Sequence, residues 1–223
     1  EYHLRCMIHT TIIHRSNNVA VAMILHGGGA IRNTTFNNNY VDIVLAYNTP
    51  TFDMVYPIMI QNCTFNKSYS NYPLSIYGGG QYYQPVDIWN CTFNNGIIGI
   101  LSGVHAHFDI SDCNFISSDP NLYHANILLS GYESGAKITN NVIEGGAGSN
   151  YSIEIFNEDP NNAQSFPGLP NFVTELFTEE FVTDPIPPEQ LPNYNTRWYD
   201  LEINNNTLIN SGIYASIMTG PGQ

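Results

Sequence analysis

The sequence predicts an all-β solenoid of stacked coils, and three observations carry this prediction. A six-residue pattern returns along almost the whole chain: Ile, any residue, Asn or Asp, a small residue, any residue and a large apolar residue. Its copies start at irregular intervals, which are normal for stacked β-coils with variable loops but not for superhelices of identical helical hairpins. Only 11% of the 223 residues are charged, while Asn, Gly, Ser, Thr and Tyr are abundant. That composition favours strands and turns over helices.

Residues 88–93 show how one copy of the pattern is expected to fold. Asn90 stands at the third position, where the alternation of a strand breaks. Asn and Asp enter the left-handed backbone region more readily than other side chains, so we expect a corner between two short strands here. After the corner, Cys91 and Phe93 are predicted to point inward and Thr92 outward. The other copies are residues 8–13, where Thr10 replaces Asn, and 31–36, 60–65, 110–115, 138–143 and 203–208.

A further strand is predicted after each copy, which gives every coil three strand-like sides. These strands are residues 19–25, 41–45, 74–77, 97–101, 126–129, 152–156 and 213–218. Alternation predicts an inward stack of Ile43, Ile76, Ile100, Ile127, Ile153 and Ile213. The same alternation predicts that Asp42, Ser75, Tyr77, Asn126, Ser152 and Glu154 point outward.

The repeated pattern, as in Ile60-Gln61-Asn62-Cys63-Thr64-Phe65, resembles that of the right-handed parallel β-helices of the pectin-lyase-like superfamily. The resemblance covers nearly all of residues 3–218 and implies one β-helix of about seven three-sided coils spanning residues 1–223. It says little about activity, because one fold hosts many functions. No polar cap is visible at either end of the repeats, so we expect other segments of a longer chain to cover the coil ends.

One segment departs from the repeat. Residues 157–199 are interpreted as a loop excursion rich in proline and acidic residues, with no positive charge before Arg197. Two readings stay open for this segment, a rigid polyproline-like surface loop and a binding or lid segment, since loops of this length in compact domains are usually functional or disordered.

Charge and hydropathy exclude two classes of partner. The net charge is −13 with six basic residues, so the chain would repel phosphate backbones and we expect no nucleic-acid binding. No run of about 20 apolar residues occurs, so no membrane span is predicted.

Three of the four cysteines fall at the same inward position of successive coils: Cys63, Cys91 and Cys113. We expect a ladder of unpaired thiols, because parallel stacked Cβ vectors do not readily give the disulfide dihedral. A bond between neighbouring members, Cys63 to Cys91 or Cys91 to Cys113, stays open as the alternative.

The residues that precede each leading Ile form the candidate chemical row: Ala30, Met59, Asp87, Asp109, Lys137 and Glu202. Asp87 and Asp109 are predicted to be neighbours, where they would bind Ca²⁺ or act as general acid and base, with Lys137 and His107 nearby. The alternative is a solvated charge row in which Lys137 relieves the repulsion between the carboxylates. Asp42 and Glu154 are excluded as a catalytic pair, because four coils separate them by about 19 Å.

Aromatic side chains supply the candidate binding residues. Tyr77, Tyr82, Tyr83 and Trp89 are predicted to be exposed, with Glu154 as a polar binding residue, and exposed rings stack on sugars or on protein partners. The sequence therefore predicts an extracellular or cell-surface β-helix module, structural and adhesin-like, that presents loops to a glycan or surface protein. The alternative is a polysaccharide lyase or glycoside hydrolase that uses Asp87, Asp109, Lys137 and His107. No cofactor is expected other than Ca²⁺ at Asp87 and Asp109.

Overall fold

The computed structural model describes the chain over a set of separate ranges. They are residues 6–9, 11–14, 19–25, 29–39, 41–47, 57–66, 74–80, 84–94, 98–102, 106–116, 126–130, 135–145, 151–156 and 201–216. Within these ranges the chain forms 21 strands and no helix. The predicted excursion at residues 157–199 lies outside the described residues.

The strands form three parallel sheets of seven. Sheet A contains β1 (Cys6–His9), β4 (Gly29–Arg32), β7 (Ile58–Gln61), β10 (Gln84–Trp89), β13 (Ala106–Ser111), β16 (Gly135–Thr139) and β19 (Glu202–Asn204). Sheet B contains β2 (Ile12–His14), β5 (Thr35–Asn37), β8 (Thr64–Asn66), β11 (Thr92–Asn94), β14 (Asn114–Ile116), β17 (Val142–Glu144) and β20 (Thr207–Ile209). Sheet C contains β3 (Val19–Leu25), β6 (Val41–Tyr47), β9 (Leu74–Gly80), β12 (Ile98–Ser102), β15 (Ile127–Ser130), β18 (Tyr151–Phe156) and β21 (Gly212–Ser216).

Every strand pairs with the third strand before or after it in the chain, which is the connectivity of stacked turns. We call three consecutive strands, one from each sheet, a unit; β1 to β3 form unit 1 and β19 to β21 form unit 7. This all-β, solenoid-like arrangement of parallel sheets fits the predicted parallel β-helix.

The Asn and Asp corners between sheets A and B adopt the predicted left-handed conformation. Their φ values are Asn33 51°, Asn62 55°, Asn90 51°, Asp112 54°, Asn140 58° and Asn205 54°. Two further left-handed residues, Asn38 and Asn210, follow strands of sheet B and were not predicted. They mark a second corner, before sheet C.

The core contains straight columns of identical side chains. Ile31, Ile60, Ile88, Ile110 and Ile138 of sheet A are completely buried, as are Ile43, Ile76, Ile127 and Ile153 of sheet C. In sheet B the rings of Phe36, Phe65, Phe93 and Phe115 stack with centroids 5.0, 4.7 and 4.5 Å apart. Ile213 continues the predicted Ile column of sheet C opposite Ile153, but it is 43% exposed because no further unit covers it within the described part.

A polar ladder runs beside the Phe column, on the inner side of the first corner. Its members are Thr34, Cys63, Cys91, Cys113, Asn141 and Asn206. Each donates to main-chain carbonyls; Cys91 Sγ, for example, lies 3.4 Å from Trp89 O and 3.5 Å from Ile60 O. The three thiols are buried and unpaired, so the predicted ladder is confirmed and the disulfide alternative is not formed.

The prediction that Asp42, Ser75, Asn126 and Ser152 point to solvent is wrong. All four are buried, Asp42 and Ser152 completely. They do lie on the side of the strand opposite to the Ile column, and second-corner residues contact two of them, Asp42 and Ser152. Asn39 Nδ2 donates to Asp42 Oδ1 at 3.0 Å, and Ser211 Oγ contacts Ser152 Oγ. The packing at this corner is close, since a Cβ on Gly145 would come within 2.5 Å of Ser211 Cβ.

Candidate functional site

The outer face of sheet A holds the candidate chemical row. The strand register places Asp87 opposite Met59 and Asp109, Asp109 opposite Lys137, and Lys137 opposite Glu202. Asp87 and Asp109 are half-buried, whereas Lys137 and Glu202 are exposed. Asp109 thus has a carboxylate neighbour on one side and an ammonium neighbour on the other, each one strand spacing away, about 4.8 Å.

A second row lies beside the first on the same face. It consists of Arg32, Gln61, Trp89, Ser111, Thr139 and Asn204. Trp89 is 44% exposed, as predicted for this ring. Its indole Nε1 donates to Asp112 Oδ2 at 2.9 Å, across one strand spacing. The hydrogen bond holds the indole in place while leaving nearly half of the side chain open to a partner.

Arg32 brings a positive charge to this face, two units before Trp89. Its Nη2 contacts Met59 Sδ at 3.6 Å, and its buried Nε has no hydrogen-bond partner among the described residues. Neither Arg32, which the sequence offers only as a candidate lyase base, nor Asp112 belongs to the predicted site. Arg32 carried a signal, because it occupies the position equivalent to Trp89 in an earlier copy of the pattern; Asp112 was read only as a corner residue.

The structure brings some predicted site residues together and leaves others apart. His107 lies in β13 opposite Pro85 and Gly135, two residues before Asp109. Tyr77 and Glu154 lie in sheet C, opposite Val44 and Tyr214 respectively, and so not in the sheet that carries Trp89. The side chains of these three residues, and Tyr82 and Tyr83 altogether, fall outside the described residues.

Metal binding at Asp87 and Asp109 would need further ligands. Ca²⁺ takes six to eight oxygen ligands, more than two carboxylates supply. Within the described part of the chain, no group of three or more His, Cys, Asp or Glu side chains is arranged to hold a metal ion. Main-chain carbonyls, side-chain amides and water would therefore have to complete such a site.

Two amide ladders follow the corners that border sheet B. Asn90 Nδ2 donates to Asn62 Oδ1 at 2.8 Å, and Asn62 Nδ2 donates to Asn33 Oδ1 at 3.2 Å. A parallel ladder joins Asn94 to Asn66 at 2.7 Å and Asn66 to Asn37 at 2.8 Å. The Asn-x-Thr-x-Asn spacing at residues 33–37, 62–66 and 90–94 is the sequence signal for these ladders. The left-handed corner conformation accounts for the first Asn of each copy only.

Comparison with protein-family models, with curated proteins and with solved structures found no match. No helix in the described part of the chain is both long and apolar enough to cross a membrane.

Proposed function

We propose that this chain is an extracellular or cell-surface β-helix module, structural and adhesin-like, that binds a glycan through the outer face of sheet A. The observation that carries the proposal is the exposed indole of Trp89, held by Asp112 beside the row of Asp87 and Asp109. A fixed aromatic ring bordered by hydrogen-bonding groups is the usual means of binding a sugar, because the apolar face of the sugar stacks on the ring and its hydroxyls bond to the polar groups.

The polar groups around Trp89 suit an uncharged ligand whose groups both donate and accept hydrogen bonds. Gln61 lies on one side of Trp89 and Ser111 on the other, each one strand spacing away. Amide and hydroxyl groups both donate and accept hydrogen bonds, as sugar hydroxyls do. A surface protein that presents a polar loop is the second partner class for the same face.

Titration calorimetry with a panel of oligosaccharides tests this function. Trp89→Ala is expected to weaken binding about 10-fold or more, or at least about 1.4 kcal/mol, whereas Trp89→Phe retains most of it. Tyr214→Ala is the matched control, because Tyr214 is an exposed aromatic residue of sheet C. Equal losses for Trp89→Ala and Tyr214→Ala, or no binding to any member of the panel, would contradict a sugar site on sheet A.

The alternative is a carbohydrate-active enzyme, lyase or hydrolase, of the pectin-lyase-like superfamily with a right-handed helix. The register of Asp87, Asp109 and Lys137, with His107 in the same strand as Asp109, favours it. In such an enzyme the two carboxyl groups act as general acid and base, or hold Ca²⁺ beside Lys137. Measuring the turnover of acidic polysaccharides by the unchanged chain and by Asp109→Asn tests this function. Turnover that the substitution abolishes supports the enzyme, and equal turnover by the two proteins rejects it.

Further partners are proposed for the solenoid ends and for residues 157–199. Other segments of a longer chain would pair with the edge strands of units 1 and 7, since open parallel edges otherwise associate freely. Residues 157–199 would present a proline-rich acidic segment to the glycan or surface protein. Deleting this segment and measuring partner binding separates its contribution from that of Trp89.

A further inference from the structure

The outer face of sheet A has two chemically different halves. In units 4 to 7 its strands carry the charged residues Asp87, Asp109, Lys137 and Glu202. In units 1 to 3 the strands β1, β4 and β7 contain no acidic residue, although the whole chain has 19. Arg32 is the only residue of these three strands with a permanent charge. The first half of the face is therefore locally positive in a chain whose net charge is −13.

The guanidinium group of Arg32 is poorly matched within the folded chain. Its Nη2 contacts Met59 Sδ at 3.6 Å, and its buried Nε has no hydrogen-bond acceptor among the described residues. A thioether sulfur is a weak acceptor, and a buried donor of a charged group without an acceptor costs free energy. Asp87, an acidic residue of the same face, lies two units away, about 10 Å. The fold thus gains little from an arginine at this position, which points to a role in binding.

Apolar side chains flank Arg32 on this half of the face. The strand register sets Met7 opposite Ala30 and Ala30 opposite Met59, and it sets Arg32 opposite Gln61. Met7 is 61% exposed and Met59 is half-buried. We call these five residues the Met–Arg patch. Arginine and methionine are enriched in protein interfaces, and unbranched methionine side chains adapt their shape to a partner.

The size of the Met–Arg patch suits a short peptide segment. The patch covers three strands, about 10 Å along the stack, and an extended peptide advances about 3.3 Å per residue. Three or four residues of a partner therefore span it. The thioethers of Met7 and Met59 offer sugar hydroxyls only weak acceptors, whereas they pack well against an apolar side chain. A peptide fits this half of the face better than a glycan does.

We propose that the Met–Arg patch binds a peptide segment of a protein partner in which an Asp or Glu lies next to a large apolar side chain. The carboxylate accepts two hydrogen bonds from the guanidinium of Arg32 and displaces Met59 Sδ, since charge-assisted hydrogen bonds are much stronger than a contact with sulfur. The apolar side chain packs between Met7 and Met59. Trp89 belongs to unit 4, outside the patch, so the proposal does not rest on glycan binding.

Selection from a library of random short peptides tests the chemistry of the partner. Parallel selections are made against the unchanged chain and against Arg32→Gln. Peptides with an acidic residue beside a large apolar residue are expected to be enriched on the unchanged chain and not on Arg32→Gln. A selection without acidic enrichment, or the same enrichment on both proteins, overturns the proposal.

Fluorescence polarisation with one selected peptide tests the role of the guanidinium. Arg32→Gln is expected to weaken binding about 10-fold or more, because the partner carboxylate loses its donors. Arg32→Lys keeps the charge but not the planar fork, so an intermediate loss is expected. Lys137→Gln is the matched control, because it removes a positive charge from an exposed position in the other half of the same face. Equal weakening by Arg32→Gln and Lys137→Gln would show general electrostatic attraction and overturn the site.

A double-mutant cycle locates the contact. Replacing the acidic residue of the peptide by its amide is expected to weaken binding to the unchanged chain and to change binding to Arg32→Gln little. Additive losses contradict a direct pair. Met7→Ala is a second variant that leaves the core untouched, and it is also expected to weaken peptide binding. Trp89→Ala should lower oligosaccharide binding and leave peptide binding unchanged, so the two sites succeed or fail separately.

Discussion

At the scale of single residues, backbone conformation decides which side chains the corners accept. Six predicted corner residues, among them Asn90 and Asp112, have φ between 51° and 58°. The sequence revealed these corners because only a few residue types enter this region without strain, and the same types recur at the same position. Asn38 and Asn210 were missed because the second corner has no fixed residue in the repeat, so no periodic signal marked it.

Replacing Asn90 tests the cost of the corner conformation. Asn90→Val is expected to destabilise the fold by about 1–2 kcal/mol more than Asn90→Gly, because a β-branched side chain clashes in the left-handed region. Both variants lose the hydrogen bond to Asn62, so that loss cancels in the comparison. Thr92→Val, two residues later in a strand, is the control and should be nearly neutral. Equal unfolding free energies for the Val and Gly variants in chemical denaturation would contradict the strain argument.

At the scale of elements, alternation correctly predicted which side of each strand carries the core. It located the Ile columns of sheets A and C, the Phe column of sheet B, and Thr92 on the outer side. It failed for Asp42 and Ser152, because alternation gives the side of a strand and not whether that side meets solvent. Their burial depends on Asn39 and Ser211, which reach them only through a corner conformation that carried no sequence signal.

The polar ladder predicts a pH dependence of stability. Cys91 close to Cys63, together with burial, raises the pKa of the Cys63 thiol, and the neighbouring Cys113 raises that of Cys91. The folded state thus holds these protons more tightly than the unfolded state, whose thiols ionise near the ordinary cysteine pKa of 9.0. The stabilisation is complete below that pH and is lost as the pH rises, by up to about 1.4 kcal/mol per pH unit for each thiol.

Chemical denaturation between pH 8 and 10.5 measures this loss. The unchanged chain is expected to lose stability more steeply above pH 9 than a Cys63→Ala, Cys91→Ala double variant, which removes both thiols but keeps the tyrosines and lysines. The folded chain should also resist thiol reagents at these two positions. Parallel pH profiles for the two proteins would show that the ladder does not hold its protons.

At the scale of the whole molecule, the sheets make the chain quasi-one-dimensional, since each strand pairs only with strands of adjacent units. This connectivity was predictable from the repeat, because a pattern that buries its apolar side chains only between copies must stack. The surfaces were less predictable. Trp89 and the Asp row could be located by position, but the hydrogen bond from Trp89 to Asp112 depends on which residues of different copies become neighbours.

A substitution at one unit should therefore weaken its neighbours more than distant units. Asn141 links three units: its Oδ1 accepts from Cys113 N at 2.9 Å, and its Nδ2 donates to Ile110 O at 3.0 Å and to Asn206 Oδ1 at 2.9 Å. Asn141→Ala leaves buried main-chain groups without these partners, at about 1–3 kcal/mol each. Hydrogen exchange should speed up in β13 to β20, which include Ile110 and flank Cys113, while β7 to β11 keep their protection, as expected for nearest-neighbour coupling. Thr139→Ala, on the outer face of the same unit, is the control and should change neither region. A uniform increase in exchange along all units would instead show that the stack unfolds as one cooperative block.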